Sequence, residues 1–500
     1  MYRIIRRVLI ILPAIALEAL WIWLILSLAR PLSGAINALL LVFSVIFVLF
    51  IVMKRDEDSY KILWLIVILC APVPGALLYL LFGNRRTTRP LRRRLDANPL
   101  AVAQQSDCEA LSRLQEEEPR LAQTVSLLSR TTGFPVYRNV RTKYYRLGEE
   151  ALGDMLSALE EARSFIFIEY FIIESGFMWD SIVSILERKA EEGVKVRVLY
   201  DDLGSITTFS VVEEASRLWD KGIECVPFNP LVFVKGTVNY RDHRKMLIVD
   251  NRVAFSGGIN LADEYINRKV KFGHWKDIAF RIEGPAVESF TRMFMQFWNA
   301  FARSRLDESC LSFHADGPKG DDGLVISWYD SPLSPHASSN GLYVELLGQA
   351  VERAWFYTPY LMPGEKLLDA FQRAAERGVD VRIIMPGIPD KKIIWRMSKS
   401  FYASLISSGV RIYEYGPGFV HAKASIIDDR ICTIGTVNLD YRSLFLHFEN
   451  NSLFYRASVM DDLVKDYEET LSQCTEIAMP PRGLLRWFID GVLRIVAPLC

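Results

Sequence analysis

The sequence predicts an α/β fold: two tandem α/β repeats packed pseudo-twofold, preceded by an N-terminal α-helical membrane region. Three observations carry that expectation: long apolar stretches at the front, alternating helical and strand signals behind them, and a polar motif that occurs twice at one internal spacing. At 500 residues the chain has room for two or three domains, each with a substantial core, which excludes a small disulfide-stapled scaffold. Seven scattered cysteines without CxxC spacing suggest reduced thiols rather than a disulfide frame or a zinc site.

A mean hydropathy of +0.14 is high for a soluble enzyme, and the excess lies at the front. Val8 to Ala29 and Leu32 to Met53 are each 22 residues with Glu18 as the one charge, long enough for a hydrocarbon core of about 30 Å. Arg30-Pro31-Leu32-Ser33-Gly34 between them reads as the turn of a helical hairpin, and a cleaved signal peptide is not expected. A third stretch, Ile62 to Phe82, is broken by Pro72-Val73-Pro74-Gly75, so it spans with a kink or dips in and returns. Residues 1–94, the expected membrane region with segments at about 8–29, 32–53 and 62–82, carry 13 Lys and Arg against 4 Asp and Glu, a net +9; the other 406 residues carry 46 against 55, a net −9. Arg3, Arg6 and Arg7 precede the first segment, while Arg85, Arg86, Arg89, Arg92, Arg93 and Arg94 follow the third. Three full crossings cannot put both clusters in the cytoplasm, and the larger cluster is expected to hold the body there. The expected location is therefore the cell membrane, multi-pass, with two or three crossings left open.

Residues 95–130 form an expected linker, acidic and helical from Asp107 to Arg120. The first repeat is expected over 131–310 and the second over 320–480. Ala190-Glu191-Glu192-Gly193-Val194-Lys195-Val196-Arg197-Val198-Leu199 matches Ala375-Glu376-Arg377-Gly378-Val379-Asp380-Val381-Arg382-Ile383-Ile384 at an offset of 185. In each, a helix ends on a glycine and a β-branched strand begins. Lys221-Gly222-Ile223 matches Ser408-Gly409-Val410 at an offset of 187.

The repeats share HxKxxxxD: His243, Lys245 and Asp250 in one, His421, Lys423 and Asp428 in the other. Each reaches a small-residue turn and an asparagine, Gly257-Gly258-Ile259-Asn260 and Gly435-Thr436-Val437-Asn438, 17 residues beyond its histidine. The offset falls to 178 here, so the first copy carries about nine extra residues before its histidine, expected around Leu231 to Tyr240. On a strand, residues i and i+2 share a face, so His and Lys of each motif point the same way. The aspartates, seven residues on, complete the candidate catalytic set as residues that fix the following turn.

Pairing the halves would gather two imidazoles, two ammonium groups and two amides, a site suited to a phosphodiester anion. With imidazole pKa values near 6.5, one neutral ring attacks phosphorus while a protonated partner beside a carboxylate donates to the leaving alkoxide. The cations and amides then stabilise the non-bridging oxygens. No metal is expected, since the six histidines (His243, His274, His314, His336, His421, His447) include no HExxH and no clustered acids, and no nucleotide loop GxxxxGK[ST] is present. The expected cofactor is none.

Asn239-Tyr240-Arg241-Asp242-His243-Arg244-Lys245, Trp275-Lys276-Asp277, Gly418-Phe419-Val420-His421-Ala422-Lys423 and Asn438-Leu439-Asp440-Tyr441-Arg442-Ser443, with Leu77 to Gly83 followed by arginines, resemble bacterial cardiolipin synthases of the phospholipase D superfamily. The resemblance covers residues 60 to 500. It implies two phospholipase D-like repeats and a membrane phosphatidyltransferase making cardiolipin and glycerol from two phosphatidylglycerol molecules through a phosphohistidine. Carried over by motif, it makes His243 the nucleophile and His421 the general acid and base, places Lys245, Lys423, Asn260 and Asn438 on the phosphate, and puts the carboxylates that orient the histidines on Asp277 and Glu449. The partners it implies are phosphatidylglycerol, cardiolipin and the bilayer, with no nucleic acid.

Among smaller signals, Glu169 and Tyr360 lie after strands where they would contact substrate or pack, and Tyr200 to Ser205 ends a strand at an edge where α/β ligand sites gather. Residues 481–500, with apolar positions around Arg486, Asp490 and Arg494, read as an amphipathic C-terminal helix, lying on a membrane or on the body. The alternative activity is a phospholipase D-type phosphodiesterase that hydrolyses phospholipid or nucleic acid; a nuclease would favour a basic groove over a body at −9. A non-catalytic scaffold is disfavoured by two intact motifs.

Overall fold

A computed structural model describes residues 33–54, 57–83, 89–99, 108–206, 208, 211–230, 239–311, 322–334, 336–479 and 483–499. The expected segment 8–29 and most of the extra residues 231 to 240 lie outside them.

The β-branched and aromatic runs of the body pair into two large sheets. The first has seven strands in the order Arg141–Tyr145, Ala279–Glu283, Val253–Gly257, Met246–Val249, Phe165–Tyr170, Lys195–Asp201, Glu224–Phe228. The last three are parallel and the others antiparallel. In the second sheet the same order and senses recur through Leu324–Asp330, Glu449–Tyr455, Ile431–Gly435, Ala424–Ile427, Arg353–Tyr357, Asp380–Pro386 and Arg411–Tyr415, with Val136–Tyr137 and Cys474–Glu476 added at the edges. Lys195–Asp201 and Asp380–Pro386, matched in sequence, occupy the same place in each sheet. The helices before them end as the sequence requires: Gly193 and Gly378 both sit at φ 93°, a left-handed conformation that costs a glycine little.

One apolar cluster joins the halves, taking Phe167, Met246 and Ile248 from the first sheet and Val325, Ile434 and Phe454 from the second. Helix Val287–Phe301 threads it with Phe290, Phe294, Phe297 and Trp298, all fully buried. The backbones also meet, since His274–Lys276 pairs in parallel with Gly418–Val420, and Asp242 bridges to Phe448. Helices Cys108–Glu117 and Pro119–Thr132, within the expected linker, put Leu114, Leu121, Val125 and Leu128 into this same core, so that segment is part of the body.

Among the described residues, no helix is long and apolar enough to cross a membrane. Helix Ser33–Val52 has no charged residue, and its side chains are described from Leu39 onward. The stretch from Ile62 to Phe82 is not one straight span. It divides into Asp58–Cys70, Pro72–Leu78 and a π-turn Tyr79–Gly83, because Pro72 supplies no backbone N–H and Ala71 adopts a non-helical conformation before it. Tyr60, Leu63, Trp64 and Ile68 of its first helix are buried, and Tyr60 stacks on Tyr441 of the second repeat at 5.6 Å between ring centroids.

Candidate functional site

Each HxK motif occupies the extended segment just before a central strand, Met246–Val249 or Ala424–Ile427. The motif aspartates lie in the turn after that strand, at φ 53° and 50°, a backbone region that aspartate tolerates. Asp250 accepts from the backbone N–H groups of Arg163, Ser164 and Phe165 at 2.7 to 2.8 Å, and Asp428 from those of Val351, Glu352 and Arg353 at 2.7 to 3.0 Å. Both carboxylates therefore serve the backbone of the neighbouring strand.

The histidines are held crosswise. The His243 backbone N–H donates to Phe448 O of the second repeat, and the His421 N–H to Lys276 O of the first. Their rings follow the same exchange: His243 Nδ1 lies 2.8 Å from Glu449 Oε2 and His421 Nδ1 lies 2.6 Å from Asp277 Oδ2. Each repeat thus supplies one imidazole and the carboxylate for the other. The rings are nearly closed off from solvent, at 8% and 7% exposure for the two residues.

The small residues after each motif make room for these carboxylates. A Cβ on Gly258 would meet Asp277 Oδ1 at 2.0 Å, so no side chain fits there. At the matching position Thr436 carries a hydroxyl that donates to Glu449 Oε2 at 2.5 Å, and Ser443 donates to its other oxygen.

Both lysines are buried, and each ammonium donates to the carbonyl of its own motif histidine, Lys245 at 2.8 Å. Burial pushes Lys245 down to about 8 and Lys423 down to about 7, with Glu449 and Asp277 respectively pulling them back. The imidazoles respond likewise. Burial and then Lys423 push His421 down to about 4 against the pull of Asp277, while burial and then Lys245 hold His243 well below its usual range. Burial also raises the Glu449 carboxyl well above the usual carboxylate range. Burial beside two ammonium groups thus disfavours the charged form of both imidazoles, where the sequence suggests one neutral and one protonated ring, and the carboxylates pull the other way.

The two asparagines differ. Asn260 is occupied at both ends, accepting from Ile172 N–H at 3.1 Å and donating to the Tyr265 hydroxyl at 2.7 Å. Asn438 keeps an enclosed Oδ1 with no hydrogen-bond partner. Glu169 is fully buried and pairs with Arg244 at 2.5 Å, so it supports the motif segment from behind rather than meeting substrate. Asp201 does similar work, accepting from the Arg241 guanidinium at 3.0 Å and the Asp242 N–H at 2.9 Å. The Tyr360 hydroxyl donates to Asp390 at 2.5 Å.

Four ring neighbours of the histidines lie outside the HxK motifs and were not singled out as site residues from the sequence. Phe171 lies 4.9 Å from His243 and Tyr265 lies 5.3 Å from His421, between ring centroids. Trp275 lies 5.7 Å from His421 and His447 lies 6.0 Å from His243. These last two each stand two residues before the carboxylate that contacts the same imidazole, a signal available from the duplication itself. Among the described residues, no group of three or more His, Cys, Asp and Glu is placed to hold a metal ion.

Comparison with known proteins gives consistent results. A family profile described as "Cardiolipin synthase, PLD-like domain" matches residues 155–298 and 343–473, and one described as "Phospholipase_D-nuclease N-terminal" matches residues 19–84. The chain is 34% identical over 483 residues to a cardiolipin synthase of Alkalihalophilus pseudofirmus, covering 93% of this chain and 95% of that one. It is 32% identical over 471 residues to cardiolipin synthase 1 of Bacillus anthracis, covering 91% of each. An uncharacterized protein of Streptococcus mutans is 42% identical over 460 residues, 90% of this chain and 99% of that one. Among solved structures, a phosphatidylserine synthase of Haemophilus influenzae superposes with a TM-score of 0.58 at 14% identity, covering 76% of this chain and 99% of that one, a likeness of fold.

Proposed function

The chain belongs to the cardiolipin synthase family with paired phospholipase D-like domains, and from that premise we propose that it joins two phosphatidylglycerol molecules into cardiolipin with release of glycerol. It is an enzyme of the phospholipase D-type phosphatidyltransferase class. The observation that carries the finer reading is the crosswise pairing of His243 with Glu449 and His421 with Asp277, which makes one site from two half-motifs.

In the first step His243 Nε2 attacks phosphorus. The P–N bond forms, the P–O bond to glycerol breaks, and His421 gives its proton to the leaving oxygen. In the second step His421 takes the proton from a glycerol hydroxyl of the second phosphatidylglycerol, that oxygen attacks phosphorus, and the P–N bond breaks to regenerate His243. A bound phosphodiester anion supplies charge that favours protonated His421 and charged lysines against the cost of burial. Lys245 and Lys423 balance the charge on the non-bridging oxygens, and Asn438 has the free amide oxygen to orient a substrate hydroxyl. Asn260 acts through Tyr265 instead. The orienting roles of Asp277 and Glu449 follow from their contacts with Nδ1, which leave each Nε2 to the reaction.

A membrane-associated enzyme agrees with its relatives; the cytoplasmic side for the body and a multi-pass anchor rest on the arginine clusters and the apolar front. Purified protein in phosphatidylglycerol vesicles without nucleotide provides the test. Cardiolipin and free glycerol in equal amounts support the proposal, whereas phosphatidic acid alone would identify a hydrolase and reject it.

A further inference from the structure

The C-terminal helix Leu484–Val496 has two dissimilar sides. Its inner side is tied to helix Lys392–Ser407: Asp490 accepts from Arg396 at 2.5 Å, and Arg494 donates to Ser400 O at 3.0 Å while lying over the Phe401 ring at 5.1 Å. Outward it presents Leu484 at 86% exposure, Leu485 at 73%, Trp487 at 74% and Phe488 at 62%. Four large apolar side chains this open in five residues are not a solvated surface.

The patch does not stop at this helix. Leu484–Val496 packs against Asp58–Cys70, which packs in turn against Ser33–Val52. Ile62, Ile66 and Leu69 of the middle helix are exposed, as are Leu41, Val45, Ile46 and Leu49 of the first, whose described surface carries no charge. A helix that is apolar all round has no stable face for water. Between the C-terminal helix, Asp58–Cys70 and the second repeat lies a cavity of ≈ 210 Å³ lined by Ser59, Ile62, Pro363, Tyr441 and Arg494. Tyr441 follows Asn438 by three residues, so this cleft joins the apolar face to the segment leading out of the candidate site. Arg486, paired with Asp490 at 3.6 Å, stands at the edge of the patch with over a third of its side chain exposed, where a long basic side chain can reach an anionic surface.

We propose that the outer face of Leu484–Val496, continuous with Asp58–Cys70, seats the second repeat on an anionic lipid bilayer, and that the cleft beside Tyr441 is where a lipid leaves that bilayer for the site. The inference rests on the phosphatidylglycerol reading for the identity of the lipid, but the seating itself does not. A second copy of the chain would cover the helix patch but would leave the charge-free surface of Ser33–Val52 unexplained, whereas a bilayer accounts for both.

Full-length protein carrying Leu484→Glu and Trp487→Glu, two side chains too exposed to matter for packing, provides the activity test. Turnover of phosphatidylglycerol in vesicles falls at least tenfold, while turnover of a short-chain phosphatidylglycerol kept below its micelle concentration stays within about twofold of the unsubstituted protein. An equal fall on both substrates, or no fall on either, overturns the proposal. So does a dimer of the unsubstituted protein that the two substitutions split, measured by sedimentation. A second measurement is independent of activity: Trp487→Cys in a background whose seven native cysteines are replaced by serine or alanine, labelled with an environment-sensitive dye in phosphatidylglycerol vesicles. Quenching by lipids brominated in their acyl chains supports seating, and its absence refutes it whether or not cardiolipin is made.

Discussion

The two half-sites come from one duplicated motif, yet their surroundings have diverged. Around His421, Trp275 is packed with the rings of Tyr265, Phe272 and Phe419, its own Nε1 enclosed among them without a partner. At the matching place beside His243 stands His447, whose Nε2 is enclosed without a partner and which lines a cavity of ≈ 820 Å³ shared with Asp330, Asn340, Lys366 and Phe445. The carboxylates differ too: Glu449 receives two hydroxyl hydrogen bonds besides the histidine contact, whereas Asp277 accepts from the Ile278 N–H beside its contact with His421. Duplication supplied a symmetric set of imidazoles, ammonium groups and carboxylates, and packing then set a second imidazole beside a cavity at one half and a cluster of large aromatic rings at the other. A two-step transfer in which one imidazole bonds phosphorus and the other only moves protons has a use for such inequality.

The largest effects should come from removing either ring. His243→Ala and His421→Ala each lower cardiolipin formation by about 10³ or more, with the thermal unfolding midpoint little changed. A phosphodiester whose leaving group is p-nitrophenolate needs no proton donor, so a burst of p-nitrophenolate returns in His421→Ala and not in His243→Ala. A burst in the opposite variant would exchange the two roles. Next in size is the loss of ring orientation. Glu449→Gln and Asp277→Asn each reduce turnover by about 10² to 10⁴ at unchanged lipid affinity; a far smaller loss in one would show that its half-site does not depend on the carboxylate.

The border residues should separate by kind of effect. His447→Phe lowers transfer about fivefold, the worth of roughly one net hydrogen bond, and leaves stability in place. Trp275→Phe instead costs about 1 to 3 kcal/mol in denaturant unfolding, the cavity left in an apolar cluster, with a lesser change in turnover. Should both variants behave alike, the contrast between the half-sites is without consequence.

The smallest effect is on acid stability of the empty enzyme. His421 is depressed to about 4 in the folded chain against 6.5 when unfolded. Between those values the unfolded chain binds the proton and the native one does not, so this contribution to stability is present above pH 6.5 and is lost as pH falls towards 4. Equilibrium unfolding across that window shows the slope, and His421→Gln lessens it while leaving the share that His243 contributes in the same direction; an unchanged slope would place the acid sensitivity elsewhere.

Much of the architecture was legible because it is written locally. The matched Gly193 and Gly378, the strands that follow them and the turn aspartates Asp250 and Asp428 all depend on backbone preferences within a few residues. The candidate site could be picked out where the duplication repeats it, in the two HxK pairs and the asparagines. It was less legible where the partner is far away in the chain: the asparagines look alike in sequence, yet Tyr265 occupies one and not the other. Glu169 was open between meeting substrate and packing, and its partner, Arg244, lies within the motif itself, where spacing says nothing of direction.

By itself, then, the sequence determined that there are two copies, where each begins its HxK segment, and that an apolar front precedes them, since periodicity and turn chemistry act over a few residues. Only the tertiary structure decided that Glu449 serves His243 and Asp277 serves His421, contacts spanning 206 and 144 residues. No local preference encodes such an exchange. It follows from burying one apolar cluster between the two sheets, which fixes the repeats face to face and leaves each carboxylate nearer the other repeat's imidazole.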